Sequence, residues 1–318
     1  MPIVPVVTQL QPTHRLFCFH YAGGNADSFS WASHLVDSPP VDDDDDDDAN
    51  IELYGVTWRQ SALVEESKLD ILQVIKTLRK EFLESGYVKH QGNNLKTVFF
   101  GHSLGSILAF ELIRQFEMEG IYDVIHLVCS GAPSPRDLTL LNKSHLKRHG
   151  RTDAEFYDHL KRIGGIYEGL DPDFLRKSVN NIRTDHRLLD SYRFDAAKTY
   201  LDSVDRNNGR ITHPITTLRG VVDPYVTQTA MIGWKNHSNS VTRHEECGDI
   251  ICGDHFYYNN SMIRDSLLSL LKKICIMPVP TQHNDHTVDE EESRRDRECS
   301  FYDYCPSSSS HQLGLKND

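Results

Sequence analysis

The feature that most constrains the fold of this chain is a serine between two glycines, placed directly after a short apolar run. Thr97–Phe100 is apolar and has the length of a buried strand, and Gly101-His102-Ser103-Leu104-Gly105 follows it. An apolar helical pattern begins near Ser106. A strand, a tight turn and a helix around Gly-x-Ser-x-Gly are typical of a nucleophile elbow. The elbow strains the serine backbone, and only glycines fit two residues either side.

Strand-like and helix-like segments alternate along the rest of the chain. We predict strands at Leu16–Phe19, Ile51–Val56, Thr97–Phe100, Val124–Cys129 and Ile215–Leu218. We predict helices at Ser28–Leu35, Leu69–Leu83, Ser106–Glu119 and Met262–Ile276. This alternation favours a mainly parallel sheet with helices on both faces, and with the serine elbow it predicts the α/β-hydrolase fold.

The long stretch between the last two predicted strands contains helical patterns but no clear strand. Its helices are predicted at Ala154–Ile163, Pro172–Asn181 and Leu188–Phe194. We therefore expect residues 1–133 and 213–276 to form the hydrolase core, and residues 134–212 to form a helical lid. Two segments are expected to be disordered: the loop at 39–50, where the carboxylates of Asp42–Asp48 repel each other, and the acidic tail at 277–318.

Charge, hydropathy and cysteine content exclude several classes of protein. The net charge is −12, so the chain lacks the basic surface of a nucleic-acid-binding protein. No stretch approaches the ~18 apolar residues of a membrane span, and the N-terminus lacks the pattern of a signal peptide. The seven cysteines include no Cys-x-x-Cys pair, which indicates free thiols in a reducing compartment. We expect a cytoplasmic monomer that binds neither nucleic acid nor a membrane.

A serine nucleophile needs a base, and the base needs a carboxylate that orients it. In this fold the chain order is serine, then Asp or Glu, then His. Asp223 lies in the turn that follows the strand at Ile215–Leu218, at the edge of the sheet where catalytic groups of open α/β sheets lie. Asp223 is the predicted acid, with Asp249 and Asp254 as alternatives.

Few histidines follow Asp223 in the chain. His237 and His244 lie in polar surroundings, whereas His255 follows Gly253 in a loop just before the final helix. Such a loop lets an imidazole reach over the sheet toward Ser103. His255 is therefore the predicted base.

The oxyanion that forms during attack needs backbone N–H donors. One is expected from Leu104, the residue after the nucleophile, and the other from the glycine-containing loop that follows the first predicted strand. We assign the second donor to Ala22, with Tyr21 as the alternative, because Gly23 and Gly24 let this loop approach the reacting carbon.

The chain resembles type II thioesterases, the stand-alone enzymes that serve polyketide, nonribosomal-peptide and animal fatty-acid synthases. The resemblance runs from about Arg15 to about Leu271. It rests on Phe17–Gly24 with Phe29 and Trp31, Gly101–Ser106, Ser130–Pro135, Arg162–Ile166, Ile182–Tyr192 and Gly253–Phe256. Two positions depart from the family pattern: His20 stands where proline is most frequent, and Asp254 replaces the usual glycine before the catalytic histidine.

The resemblance implies hydrolysis of an acyl thioester on the phosphopantetheine arm of an acyl or peptidyl carrier protein, or of acyl-CoA. It implies a lid that forms the acyl pocket, and no metal or organic cofactor. Both editing of a stalled synthase and release of medium-chain fatty acids fit it. Two other functions stay open: a carboxylesterase or lipase that acts on oxygen esters, and a catalytically silent binding protein with a hydrolase fold.

Overall fold

The computed structural model describes residues 2–37, 50–58, 70–88, 95–143, 148–166, 172–195, 207–240, 242–246 and 253–277. The predicted disordered loop, apart from Asn50, and the predicted tail, apart from Met277, lie outside these ranges. Asp249 also lies outside them. No helix among the described residues combines the length and the apolar character that crossing a bilayer requires.

The strands of the described residues form one sheet in the order β1-β3-β2-β4-β5-β6-β7. In chain order they are β1 (Ile3–Val7), β2 (His14–Phe19), β3 (Ile51–Val56), β4 (Lys96–His102), β5 (Val124–Ser130), β6 (Ile215–Arg219) and β7 (Thr242–Glu246). The first strand pairs antiparallel with β3, and the other neighbouring pairs are parallel. The sheet is therefore mainly parallel, as the sequence predicts.

The helices of the described residues connect these strands, except for α8, which follows β7; the segment between β5 and β6 contains three of them. They are α1 (His34–Asp37), α2 (Ile71–Glu84), α3 (Leu104–Met118), α4 (Pro135–Lys143), α5 (Asp153–Arg162), α6 (Pro172–Ser191), α7 (Gln228–Ile232) and α8 (Ser261–Ile276). A 3-10 helix at Ala26–Ser33 precedes α1. The predicted helices at Pro172–Asn181 and Leu188–Phe194 are wrong as separate elements, because α6 runs without a break from Pro172 through the first and into the second, where it ends at Ser191.

Apolar side chains cover both faces of the sheet. In β2, Phe17 and Phe19 pack on one side with the apolar faces of α2 and α3, whereas Leu16 and Cys18 pack on the other side with α8. All four are at least 98% buried. A strand buried on both faces has no polar alternation, which is why the central strands appear in the sequence as continuous apolar runs.

The cysteines that the structure describes, Cys18, Cys129 and Cys275, are buried free thiols. Burial raises the pKa of the Cys275 thiol to about 12 and also raises that of Cys129. These thiols are therefore protonated and unreactive at neutral pH, and they act as small apolar core residues.

Candidate active site

Ser103 lies in a tight turn between β4, which ends at His102, and α3, which begins at Leu104. Its backbone has φ 55° and ψ −118°, a strained conformation for a residue with a side chain. The amide of Ser103 donates a hydrogen bond of 2.7 Å to the carbonyl of Ser130 at the end of β5. The helix therefore begins two residues earlier than predicted, directly after the strained serine.

The two glycines of the elbow are required by close backbone approaches. A Cβ on Gly101 would lie 2.5 Å from backbone atoms of Gly105 and Ser106. A Cβ on Gly105 would collide with the carbonyl oxygen of Phe19 at the end of β2. The first contact closes the turn, and the second lets α3 pack directly against the neighbouring strand.

Asp223 and His255 are joined by a hydrogen bond. Nδ1 of His255 lies 2.8 Å from one carboxylate oxygen of Asp223, and both side chains are buried. The other carboxylate oxygen accepts hydrogen bonds from the amides of Tyr225 and Val226, at 2.7 and 3.1 Å. The amide of Val222 donates to the carbonyl of Gly253, so the two loops that carry the acid and the base are bonded to each other.

The alternative acid Asp254 has a different position. Its carboxylate accepts a hydrogen bond of 2.8 Å from the amide of Phe256 and contacts Gly164, in the turn that follows α5. A side chain on Gly164 would overlap this carboxylate. Asp254 therefore packs against the α5 turn, while Asp223 contacts the imidazole.

His237 lies away from this site, in an aromatic environment. The expectation of polar surroundings is wrong: its ring is buried against Phe110, Phe194 and Trp234. Burial lowers the pKa of His237 to about 4. His244 is the other histidine weighed against His255 as the base. The structure describes only its backbone, which lies in β7.

Two groups of amides lie near Ser103. Leu104 is the first residue of α3, so its N–H has no acceptor within the helix. Tyr21 and Ala22 line the same cavity as Ser103. The carbonyl of Tyr21 accepts a hydrogen bond from the amide of Gly24, and Gly23 has φ 95°, the pattern of a tight turn with glycine at its third position. This turn brings Ala22 to the rim of the cavity, next to Ser103.

A buried carboxylate on α6 supports this turn. Asp185 is fully buried; one of its oxygens accepts from the amide of Gly23 at 2.8 Å, and the other from the indole N–H of Trp58 at 3.2 Å. Trp58 also stacks on the ring of His20, with 3.6 Å between ring centroids. Asp185 belongs to the segment Ile182–Tyr192, which resembles type II thioesterases, but the sequence alone assigns this residue no role. The structure shows that it joins α6 to the loop that carries Ala22.

His102, inside the elbow, forms a hydrogen-bonded chain behind the site. Its Nδ1 lies 2.7 Å from the hydroxyl of Ser130, which lies 2.5 Å from the hydroxyl of Tyr257. The rings of His102 and His255 are 4.9 Å apart, and burial lowers the pKa of His102 far below its usual range. A neutral His102 therefore lies beside the His255 ring without adding a competing positive charge.

These groups face a cavity of about 180 Å³ between the sheet and the helices that follow β5. Ser103, His255 and the turn at Tyr21–Gly23 form its floor. The remaining walls come from α5, α6 and nearby loops: His159, Leu160, Ile163, Gly165, Ser178, Ile182, His186, Tyr225 and Phe256. The structure thus brings together Ser103, His255, Asp223, Ala22 and Leu104, which sequence reasoning predicted separately.

Comparison with protein families gives one match over most of the chain, the thioesterase domain, at residues 14–275. Among curated proteins, the gramicidin S biosynthesis protein GrsT of Aneurinibacillus migulanus is 25% identical over 78% of this chain and 84% of its own length. The medium-chain S-acyl fatty acid synthase thioesterase of Rattus norvegicus is 25% identical over 81% of this chain and 88% of its own length.

Solved structures share the same fold. The type II thioesterase BorB from the borrelidin biosynthetic cluster superposes with a TM-score of 0.64 and 24% identity, over 85% of this chain and 96% of BorB. RedJ, solved with a polyethylene glycol molecule in its active site, superposes with a TM-score of 0.65 and 18% identity, over 84% of this chain and 96% of RedJ. The predicted α/β-hydrolase fold is confirmed.

Proposed function

The chain belongs to the thioesterase family, and from that premise we propose that it hydrolyses acyl thioesters on the phosphopantetheine arm of a carrier protein. The observation that carries the proposal is the arrangement at the cavity floor. Ser103, on a strained turn, shares this cavity with His255, whose imidazole is hydrogen-bonded to the buried carboxylate of Asp223.

The hydrogen bond between His255 and Asp223 fixes which ring nitrogen of His255 carries the proton. Nδ1–H donates to the carboxylate, so Nε2 is left as the acceptor for the hydroxyl proton of Ser103. The two backbone amides that bond the second oxygen of Asp223 hold the carboxylate in its orientation. As His255 takes the proton, Oγ of Ser103 attacks the thioester carbonyl carbon.

Attack places a negative charge on the carbonyl oxygen. The amide of Leu104 and the amide of Ala22 are the proposed donors to this oxyanion, with Tyr21 as the alternative to Ala22. Collapse of the tetrahedral intermediate breaks the C–S bond, and His255 returns the proton to the leaving sulfur. Water, deprotonated by the same His255, then attacks the acyl-enzyme, releasing a carboxylic acid and restoring Ser103.

The size of the cavity supports short acyl groups. About 180 Å³ is below the ~300–1,000 Å³ of most ligand pockets, which favours short acyl groups over long ones. This favours editing, in which small acyl groups that block a carrier are removed, over release of medium-chain fatty acids. The proposed helical lid at 134–212 supplies most of the walls that set this limit.

Three finer proposals accompany this function. Acyl-CoA serves as a surrogate substrate because it presents the same pantetheine thioester. A monomer is the proposed state, because Ser103, Asp223 and His255 come from one chain and the site needs no residue of a second copy. Its proposed compartment is the cytoplasm; free thiols at Cys18, Cys129 and Cys275 support a reducing compartment.

A panel of substrates tests the proposal. Acetyl, butyryl and octanoyl groups are loaded on one carrier protein, and release of free acid is compared with hydrolysis of the matching p-nitrophenyl esters. We expect the carrier-bound butyryl group to be hydrolysed with a higher kcat/KM than the carrier-bound octanoyl group and than any of the three p-nitrophenyl esters. A clear preference for the oxygen esters would favour a carboxylesterase, and a preference for octanoyl would favour fatty-acid release.

A further inference from the structure

A second, open groove lies beside the catalytic cavity, between α4 of the proposed lid and α7 of the core. It has a volume of about 420 Å³, and its lining includes Asp137, Leu140 and Leu141 of α4, Thr229 and Ala230 of α7, and Tyr225. Tyr225 also lines the cavity of Ser103, and its ring lies 5.3 Å from that of His255. The groove and the catalytic cavity therefore share a wall.

Large apolar side chains are exposed on both walls of this groove. Leu140 and Leu141 of α4 are 58% and 47% exposed, and Ile232 of α7 is 37% exposed. Ile232 follows Thr229 by three residues, so both lie on the same side of α7. Of the seven large apolar side chains that are exposed in the described part of the chain, three thus belong to these two helices. Exposed apolar surface of this kind is typical of a contact with another protein.

The two walls are bonded to each other. The amide of Ser134, directly before α4, donates a hydrogen bond of 3.1 Å to the carbonyl of Ala230 in α7. The hydroxyl of Ser134 donates to the carboxylate of Asp137 at 2.6 Å, and this carboxylate packs against Gly233 at the end of α7. A surface that is already formed loses little conformational entropy when a partner binds to it.

The groove has basic side chains around it, although the chain as a whole has a net charge of −12. Arg136, Leu140 and Lys143 follow one another at spacings of four and three residues, so they form one exposed stripe along α4. The acidic residue of α4, Asp137, is half-buried. Lys235, three residues beyond the end of α7, is exposed as well. A partner that complements this surface has acidic groups around an apolar centre.

We propose that the groove between α4 and α7 is the docking surface for the carrier protein, which binds through an acidic face with apolar side chains at its centre. The proposal rests on the proposed thioesterase function and adds the surface that recognises the partner. The phosphopantetheine arm is joined to its carrier through a phosphodiester, which is anionic at neutral pH. Arg136 and Lys143 are the proposed partners of the negative charges at this end of the arm. From the groove, the arm passes Tyr225 to reach Ser103.

The experiment compares two thioesters that share the same acyl group, butyryl-loaded carrier protein and butyryl-pantetheine. The second substrate has neither the phosphate nor the protein, so its hydrolysis reports on the catalytic cavity alone. Leu140→Asp should lower kcat/KM for the carrier by about tenfold or more, mainly through KM, because a carboxylate replaces an apolar contact and repels an acidic partner. Hydrolysis of butyryl-pantetheine should stay unchanged. Leu141→Asp is a second variant with the same expected result.

Tyr122→Asp is the matched control, because it also replaces an exposed apolar side chain with a carboxylate. Tyr122 is 52% exposed and lies two residues before β5, whereas Ser103 follows the other end of the parallel strand β4. This variant should leave kcat/KM unchanged for both substrates.

The basic stripe is tested separately, by its response to salt. For the wild type, we expect KM for the butyryl-loaded carrier to rise with the concentration of NaCl, because salt screens exposed charges. The double variant Arg136→Glu with Lys143→Glu should have a higher KM at low salt and should lose this rise. Neither effect should appear with butyryl-pantetheine.

Unchanged carrier kinetics in Leu140→Asp and Leu141→Asp, or equal losses with both substrates in variants that keep their urea unfolding transition, would overturn the docking surface. So would a wild-type dimer in sedimentation velocity that Leu140→Asp dissociates while carrier kinetics stay unchanged, since the groove would then bind a second copy of the chain. If the wild type hydrolyses both substrates no faster than Ser103→Ala does, the proposed function itself fails.

Discussion

Replacing Asp185 with asparagine tests whether α6 holds the proposed oxyanion loop in place. The carboxylate is fully buried and accepts two hydrogen bonds, from the amide of Gly23 at 2.8 Å and from the indole of Trp58 at 3.2 Å. Asparagine has nearly the same shape but only one acceptor oxygen. Its NH₂ group must therefore face one of the two donors.

The size of the effect follows from these contacts. A hydrogen bond to a charged acceptor contributes about 1.5–3 kcal/mol, and the variant loses one such bond and leaves one buried donor unpaired. We expect the free energy of unfolding to fall by about 2–3 kcal/mol. Removing an oxyanion donor outright costs about 10²–10³ in kcat, so displacing the loop of Ala22 should cost about 10–100-fold.

The assay measures kcat and KM with butyryl-loaded carrier protein, together with urea unfolding. Asp153→Asn is the matched control, because Asp153 lies on α5 with a side chain that is 93% exposed and paired with Arg183. Its effect on stability should stay within about 1 kcal/mol, with unchanged kcat. A folded Asp185→Asn variant with wild-type kcat would refute the idea that α6 positions the loop.

Three further outcomes follow from the geometry. Gly105→Ala should lower the free energy of unfolding by at least about 2 kcal/mol, because the new Cβ collides with the carbonyl oxygen of Phe19. Urea unfolding measures this change, and unchanged stability would contradict the contact. Asp223→Asn should reduce kcat by about 10³–10⁴, since the amide no longer fixes the tautomer of His255, and a smaller loss points to another acid. The folded-state pKa of His237, about 4, lies below its unfolded value, so its contribution to stability is present above about pH 6.5 and disappears as the pH falls toward 4. His237→Phe should reduce the difference in unfolding free energy between pH 6.5 and 4 by about 3 kcal/mol, and an unchanged difference would mean that this ring is not buried neutral.

The central strands and the elbow could be predicted because their physical requirements are local. A strand buried on both faces must be continuously apolar, as in β2 and β4, and an elbow must have glycines at Gly101 and Gly105. The edge strands β1 and β7 could not be predicted because neither has a continuous apolar sequence. Ile3–Val7 contains a proline and pairs on one side only, and Thr242–Glu246 has no apolar pattern.

The lid was harder to predict because polar residues are buried among its apolar ones. The inward-facing positions of α6 include Asp185 and His186, which interrupt the apolar period and made one helix look like two. The partner of Asp185 is Gly23, which lies 162 residues earlier in the chain. No local sequence pattern contains a contact of this kind, so the support that Asp185 gives to the proposed oxyanion loop follows only from the folded structure.

The most direct test of the account is release of free butyrate from a butyryl-loaded carrier protein by the wild type and by Ser103→Ala. If Ser103 is the nucleophile of a thioesterase, the wild type turns over and the variant loses at least about 10⁴-fold in kcat, while its unfolding transition stays close to that of the wild type. Equal release by the two proteins, or none by the folded wild type, would contradict the assignment.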